Sequence, residues 1–179
     1  MRVVSIPNII TLVRIIIIPV FVTALVYRLY HYALGLFIAA AVTDTLDGLL
    51  ARLTNQKTAL GAFLDPLADK FLLVTSFILF AMKDWIPTWL SITVISRDLI
   101  VTLGWLLLYL VYNITRVEPT IIGKAAVAAQ LLLIAYTLVA INYAGMPLPG
   151  NGVSLLVAFL TIVSGLQYVY RGLRSAGEK

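Results

Sequence analysis

The chain lacks cysteine altogether and has a single histidine, His31. No disulfide and no thiolate metal site can therefore form, and a histidine-built zinc centre or a Ser-His-Asp triad is unsupported. Charge is also scarce: Asp, Glu, Lys and Arg make up 12% of the residues, against about 25% in ordinary soluble domains. Hydrophobic residues make up 61% of the 179 positions, and the mean hydropathy is +1.02. Those values exclude a soluble globular enzyme. They equally exclude a disordered chain, which needs low hydrophobicity and high charge. The alternating polarity of a membrane β-barrel is missing too, because apolar runs such as Phe71–Met82 and Ile121–Ile141 are continuous. Membrane helices remain.

Six helices are predicted: Ile9–Leu29, Tyr32–Arg52, Gly61–Met82, Pro87–Tyr112, Thr120–Tyr143 and Gly152–Arg171. The pattern gives an all-α polytopic membrane protein with six transmembrane helices and a single domain over residues 1–179. Ser5-Ile6-Pro7-Asn8 can start a short interfacial helix before the first span. A cleaved leader is not expected, since Arg14 interrupts the first apolar run and no small-residue cleavage site follows. An even number of crossings puts both termini on one side. Arg2, Arg52, Lys57, Arg116, Arg171, Arg174 and Lys179 then share that side, against Arg28 and Lys83 on the other. The positive-inside rule makes it the cytoplasm, so both termini are expected to be cytoplasmic. The net charge of +5 reads as basic loops meeting anionic headgroups, with no nucleic-acid partner expected.

Five of the eight acidic residues fall inside predicted spans: Asp44, Asp47, Asp65, Asp69 and Asp98. Each intramembrane carboxylate costs ~2.5–3.5 kcal/mol on insertion scales. Such a cluster needs partners, water or metal. Asp44 and Asp47 are one helical turn apart, as are Asp65 and Asp69, so each pair shares a helix face. The short link Leu53–Leu60 makes the two helices expected antiparallel neighbours, with all four carboxylates meeting near the cytoplasmic surface. Left alone they would repel one another. A hard divalent cation resolves the conflict, and Mg²⁺ or Mn²⁺ suits an all-oxygen site, with charge enough for two ions. Gly48, Ala51 and Gly61 lie on the same faces; small residues let a helix or a flat ligand approach closely.

Asp44-Thr-Leu-Asp47-Gly48-Leu-Leu-Ala51-Arg52, followed by Gly61, Asp65 and Asp69, matches D-x2-D-G-x2-A-R-x8-G-x3-D-x3-D at every fixed position. The chain thereby resembles the CDP-alcohol phosphatidyltransferase family, whose members transfer a phosphatidyl group from a CDP-linked lipid to an alcohol and release CMP. The resemblance implies that Asp44, Asp47 and Asp65 are metal ligands. It implies that Asp69 is the general base and a further metal contact. It puts Gly48, Ala51 and Gly61 along the cytidine pocket and Arg52 near the nucleotide phosphates. It also implies CDP-diacylglycerol as the donor and a homodimer. The chemistry agrees: a pyrophosphate needs its charge neutralised before an alcohol attacks phosphorus, and a carboxylate can take the alcohol proton.

Basic residues outside the motif should report the acceptor. Arg14, Arg97 and Lys124 lie within predicted helices and are costly unless they face a cavity. Together they are read as a phosphate pocket, which points to glycerol 3-phosphate. The stretches Ile6–Arg14, Gly61–Lys70 and Ile122-Gly123-Lys124 resemble the branch of the family with that acceptor. One departure stands out: Asp98 follows Arg97 where that branch usually has Glu. Ser96-Arg97-Asp98, and Pro119-Thr120 with Lys124, also resemble the branch that uses phosphatidylglycerol, the alternative acceptor. A reading from another class, a divalent-cation transporter, suits intramembrane aspartates. It is disfavoured because the acids cluster at one face and form no path across the bilayer.

Overall fold

A computed structural model describes the backbone of residues 6–54, 59–112 and 120–177, and the side chains of 12–43, 70–108, 110–111 and 120–174. The described residues form six helices: α1 (Ile6–Val26), α2 (Tyr30–Thr54), α3 (Ala59–Met82), α4 (Thr88–Tyr112), α5 (Ile121–Asn142) and α6 (Asn151–Gly177). The all-α reading and the order of the elements hold. The first helix runs unbroken from Ile6, with no separate interfacial segment.

Six membrane crossings do not hold. By length and composition, three helices can cross a membrane among the described residues: Thr88–Leu108, Ile121–Asn142 and Asn151–Arg174. These make the chain a multi-pass membrane protein. In α1, α2 and α3 the described apolar stretches are Leu12–Val26, Tyr30–Thr43 and Lys70–Met82, and none is counted as a crossing among the described residues. The reason is chemical: the later half of α2 carries Asp44, Asp47 and Arg52, and the first half of α3 carries Asp65 and Asp69, so neither helix is apolar from end to end. The inference of two cytoplasmic termini depended on an even number of crossings and falls with it.

The chain divides into two compact units, Met1–Leu79 with Leu138–Met146, and Phe80–Thr137 with Pro147–Lys179. In the first, α1 and α2 form an antiparallel hairpin. Arg14, Ile18, Phe21 and Leu25 are buried along one stripe of α1, and Ala33, Phe37 and Ala40 along one stripe of α2. Both stripes follow the helical period. Phe21 and Phe37 meet across the hairpin with ring centroids 6.4 Å apart. The Asn142 side chain donates from Nδ2 to the Tyr30 carbonyl at 3.0 Å, tying the end of α5 to the start of α2.

The second unit is built on α4, most of α5, and α6. On α4 the buried positions are Leu90, Ser91, Val94 and Asp98; on α6 they include Ser154, Val157, Ala158, Thr161 and Ser164. Gln130 of α5 donates to Thr161 Oγ1 at 2.9 Å, with both residues fully buried. Such interhelical bonds matter where lipid removes the hydrophobic drive between helices. Helix α5 is capped by Thr120, whose Oγ1 accepts from the Gly123 N–H at 2.9 Å. At the α3–α4 corner Trp85 packs edge-on against Phe80, and the Lys83 ammonium lies 5.6 Å from the Trp85 ring centroid.

Two helices end in the same way without glycine. After α1 the Leu29 N–H bonds to the Ala24 carbonyl and the Arg28 N–H to the Leu25 carbonyl, with Arg28 at φ 62°. After α3 the Trp85 N–H bonds to Phe80 and the Asp84 N–H to Ala81, with Asp84 at φ 55°. Each is a Schellman cap with a left-handed residue at the position that usually takes glycine. The left-handed region costs an ordinary L-residue ~1–2 kcal/mol, and Asp less than most. Arg28→Gly is therefore expected to stabilise the hairpin by up to ~1 kcal/mol and Asp84→Gly by less. Thermal unfolding midpoints in mild detergent check the order; a lower midpoint for Arg28→Gly would contradict it.

Candidate functional site

The second unit contains a cleft of about 490 Å³ lined by α4, α5 and α6. Arg97 and Val101 come from α4, and Ser164 and Tyr168 from α6. Helix α5 supplies Thr120, Gly123, Lys124, Val127, Ala128 and Leu131. Thr120, Lys124, Val127, Ala128 and Leu131 recur at helical spacing, so one stripe of α5 forms a whole wall.

Arg97 is the core of this cleft. Its side chain is 11% exposed. Nη1 donates to Asp98 Oδ1 at 2.8 Å, and Nη2 donates to Ser164 Oγ at 2.5 Å. Its buried Nε–H has no hydrogen-bond partner among the described residues. Two glycines make the room. A Cβ on Gly165 would sit 3.1 Å from Arg97 Cγ, and one on Gly123 would sit 3.0 Å from Thr120 Oγ1 and 3.8 Å from Arg97 Nη2. The guanidinium thus lies beside the first turn of α5, while its aliphatic stem runs over α6. Lys124 stands at the exposed rim.

Counting along the chain misjudges this arrangement. Arg97 sits near the middle of α4 and Lys124 near the start of α5, so by length alone they belong at different depths. They share a cleft because the first turn of α5 lies beside the middle of α4. Helices α4 and α6 run parallel and close together: a Cβ on Gly104 would sit 3.7 Å from Tyr168 Cε1, and one on Gly172 3.1 Å from Leu108 Cδ1.

The other candidates are distributed as follows. Asp44, Asp47, Gly48, Ala51 and Arg52 fall on the helical backbone of α2, and Gly61, Asp65 and Asp69 on that of α3; their side chains lie outside the described residues. Among the described residues no three acidic, histidine or cysteine side chains cluster to hold a metal. Arg14 is fully buried on α1, in the first unit, and is not among the residues lining the cleft. Sequence reasoning missed Ser164, Gly165 and Tyr168. The available signal was a small, polar pair, Ser164-Gly165, one turn after Thr161 within an otherwise apolar helix.

The model of the CDP-alcohol phosphatidyltransferase family matches residues 4–166, and the chain belongs to that family. It is 34% identical over 191 residues to a probable phosphatidylglycerophosphate synthase of Mycobacterium tuberculosis, covering 98% of this chain and 85% of that one. It is 37% identical over 176 residues to the CDP-diacylglycerol–glycerol-3-phosphate 3-phosphatidyltransferase of Escherichia coli, covering 92% and 93%. It is also 34% identical over 194 residues to the human CMP-forming cardiolipin synthase, covering 96% of this chain and 62% of that one. Family membership makes the chain a phosphatidyltransferase and sets the transporter reading aside.

The glycine contacts generate a stability test. Gly165→Ala pushes a methyl group against the Arg97 stem, and overpacking costs ~1–3 kcal/mol. Gly35→Ala, in the interior of α2 with nothing within 4 Å, is expected instead to gain ~0.5–1 kcal/mol of helix stability. Opposite shifts in thermal midpoint are the expected result. Equal shifts would mean that Arg97 is not tightly held.

Proposed function

We propose that this chain transfers a phosphatidyl group from CDP-diacylglycerol to glycerol 3-phosphate, giving phosphatidylglycerophosphate and CMP. The observation that carries the acceptor is the cleft holding Arg97 and Lys124, two cations at the rim and inner end of one cavity. A phosphate in that cleft receives charge-assisted bonds from the Lys124 ammonium and the Arg97 fork. Arg14, read from the sequence as a third phosphate ligand, is better suited to a structural cation in the buried stripe of α1.

The donor end of the reaction is assigned to the aspartate motif. Asp44, Asp47, Asp65 and Asp69 are an all-oxygen donor set suited to Mg²⁺ or Mn²⁺, two ions in our reading, and their turn spacing on α2 and α3 lets each pair share a face. Bound metal would neutralise the pyrophosphate charge. Asp69 takes the proton of the attacking hydroxyl as general base. Gly48, Ala51 and Gly61 leave space for the cytidine, and Arg52 neutralises nucleotide phosphate. The acceptor oxygen attacks the phosphorus that bears the diacylglycerol, the bond from that phosphorus to CMP breaks, and no covalent enzyme intermediate is required. The reading includes one catalytic domain over 1–179, a homodimer as the family resemblance implies, and no nucleic-acid partner. It assigns the chain to the cytoplasmic (inner) membrane with the active site on the cytoplasmic side, supported by the basic residues Arg52 and Lys57 at the link that joins the motif's two halves.

Ser96-Arg97-Asp98 and the likeness to cardiolipin synthase favour phosphatidylglycerol as a second reading of the acceptor. Purified protein given CDP-diacylglycerol with either acceptor separates the two by product.

Two predictions follow from these roles. Asp44→Asn, Asp47→Asn and Asp65→Asn keep volume but remove a charged ligand, and each is expected to lower turnover by orders of magnitude with the fold retained. Asp69→Asn is expected to lower kcat far more than nucleotide affinity. Full wild-type activity in EDTA, or normal turnover in the variants, would refute the metal assignment. At the acceptor end, Lys124→Ala and Arg97→Ala each remove a bond worth ~1.5–3 kcal/mol and are expected to raise KM for glycerol 3-phosphate ~10–100-fold, leaving KM for CDP-diacylglycerol nearly unchanged. Loss on the nucleotide side instead would make both residues structural cations.

A further inference from the structure

Between Lys124 and Arg171 the chain carries no charged residue, although it runs through α5, the α5–α6 turn and most of α6. Both helices are long and apolar enough to cross a membrane. From Lys124 to Asn142 helix α5 rises ~27 Å, and from Asn151 to Arg171 helix α6 rises ~30 Å, against a hydrocarbon core of ~30 Å. Each rise matches one crossing. Lys124 and Arg171 are exposed, and their charges belong at a headgroup level. The turn that joins the two helices then falls at the opposite boundary of the hydrocarbon.

That turn, residues 143–150, has few features of a loop held in water. Tyr143, Met146 and Leu148 are 60%, 40% and 43% exposed, and no charged side chain accompanies them. The α1–α2 corner, by contrast, carries Arg28, and the α3–α4 corner carries Lys83 and Asp84. The backbone of the turn also has little need of water. Pro147 and Pro149 have no N–H to leave unpaired. The Tyr143 N–H bonds to the Val139 carbonyl at 3.1 Å, and the Met146 N–H to the Tyr143 carbonyl at 3.3 Å. The Pro147 carbonyl accepts from the Tyr136 hydroxyl at 2.9 Å, and the Gly150 carbonyl accepts from the Val153 and Ser154 N–H groups. Gly145, at φ 96°, takes a conformation that an L-residue resists. Irregular backbone facing lipid is excluded from the hydrocarbon itself, because its remaining polar groups have no partner there. The headgroup–acyl boundary satisfies both demands, and it is where tyrosine rings are enriched.

We propose that the α5–α6 turn is a lipid-binding element, seated in the headgroup–acyl boundary of the leaflet opposite Lys124, with Met146 and Leu148 inserted among acyl chains. Continuity argues for lipid as the occupant: Val153, Leu155 and Leu156 are exposed at the start of α6, so the apolar surface passes from the turn onto a membrane-crossing helix. The two ends of the α5–α6 hairpin are then held by different chemistry. Cations meet the headgroups of one leaflet, and an uncharged turn enters the other.

The chain has no cysteine, so one introduced cysteine carries a nitroxide label at a single place. Met146→Cys and Leu148→Cys are labelled in the full chain in lipid nanodiscs. Each is read by its relaxation from dissolved oxygen, which concentrates in hydrocarbon, and from a nickel chelate, which stays in water. Phe159→Cys, exposed ~12 Å along α6 from Asn151, gives the acyl-core reference. Both turn labels are expected to respond more to oxygen than to the chelate, by a smaller ratio than the Phe159 label. An unfolding midpoint matching wild type shows that a variant is folded, and either turn position alone is decisive. A chelate response exceeding the oxygen response puts the turn in water and overturns the proposal. Protection from both reagents overturns it as well, because a second copy or another protein then covers the turn.

Discussion

A guanidinium buried among apolar helices is the constraint around which the second unit is arranged. Placed alone at that depth, Arg97 would be strongly disfavoured. Asp98, the next residue, neutralises it; Ser164 accepts from its other terminal nitrogen; and Gly123 and Gly165 let α5 and α6 close around it. The arrangement has an electrostatic consequence. Arg97 and Asp98 together carry no net charge, so the uncompensated positive charge lining the cleft is that of Lys124 at the rim. Arg97 contributes direction more than charge: a planar fork pinned at both ends, with its Nε–H unsatisfied. Asp, shorter than Glu by one methylene, holds the neighbouring guanidinium at 2.8 Å without leaving the buried face of α4.

Six helices and their order were legible because turn residues separate long apolar runs, and periodicity needs no tertiary information; their ends shifted by up to six residues, as in α6, which runs on to Gly177. The aspartate motif stood out in the sequence because aspartates inside apolar helices have no cheap explanation. Membrane crossing was read less well. The same aspartates that drew attention to the motif sit inside α2 and α3, so neither helix is apolar from end to end. Function and spanning compete for the same residues there.

The cleft shows a different limit. Arg97 and Lys124 could be named as candidates, since a buried cation is conspicuous, but their common depth could not be counted from helix ends. It depends on where the first turn of α5 meets α4, at Gly123 beside the Arg97 guanidinium, a contact between helices that no count along either one reveals. A glycine in an apolar run reads equally as packing, flexibility or accident. Only the neighbour it admits gives it meaning. Arg14 makes the converse case. It was conspicuous for the same reason as Arg97, yet it continues the buried stripe of α1 and lines no part of the cleft.

Acceptor choice in this fold can be understood as a question about the far side of one phosphate. A site that binds glycerol phosphate through Lys124 and Arg97 reads features common to the soluble and the lipid acceptor, and cannot separate them by charge-assisted bonds alone. Discrimination must come from what surrounds the remaining phosphate oxygen. A polar or closed wall there would reject a diacylglycerol ester through steric clash and desolvation. An apolar, laterally open wall admits it at no cost to the free acceptor, which leaves that wall to lipid. In this chain Val127, Ala128 and Leu131 give the cleft that holds Arg97 and Lys124 an apolar wall.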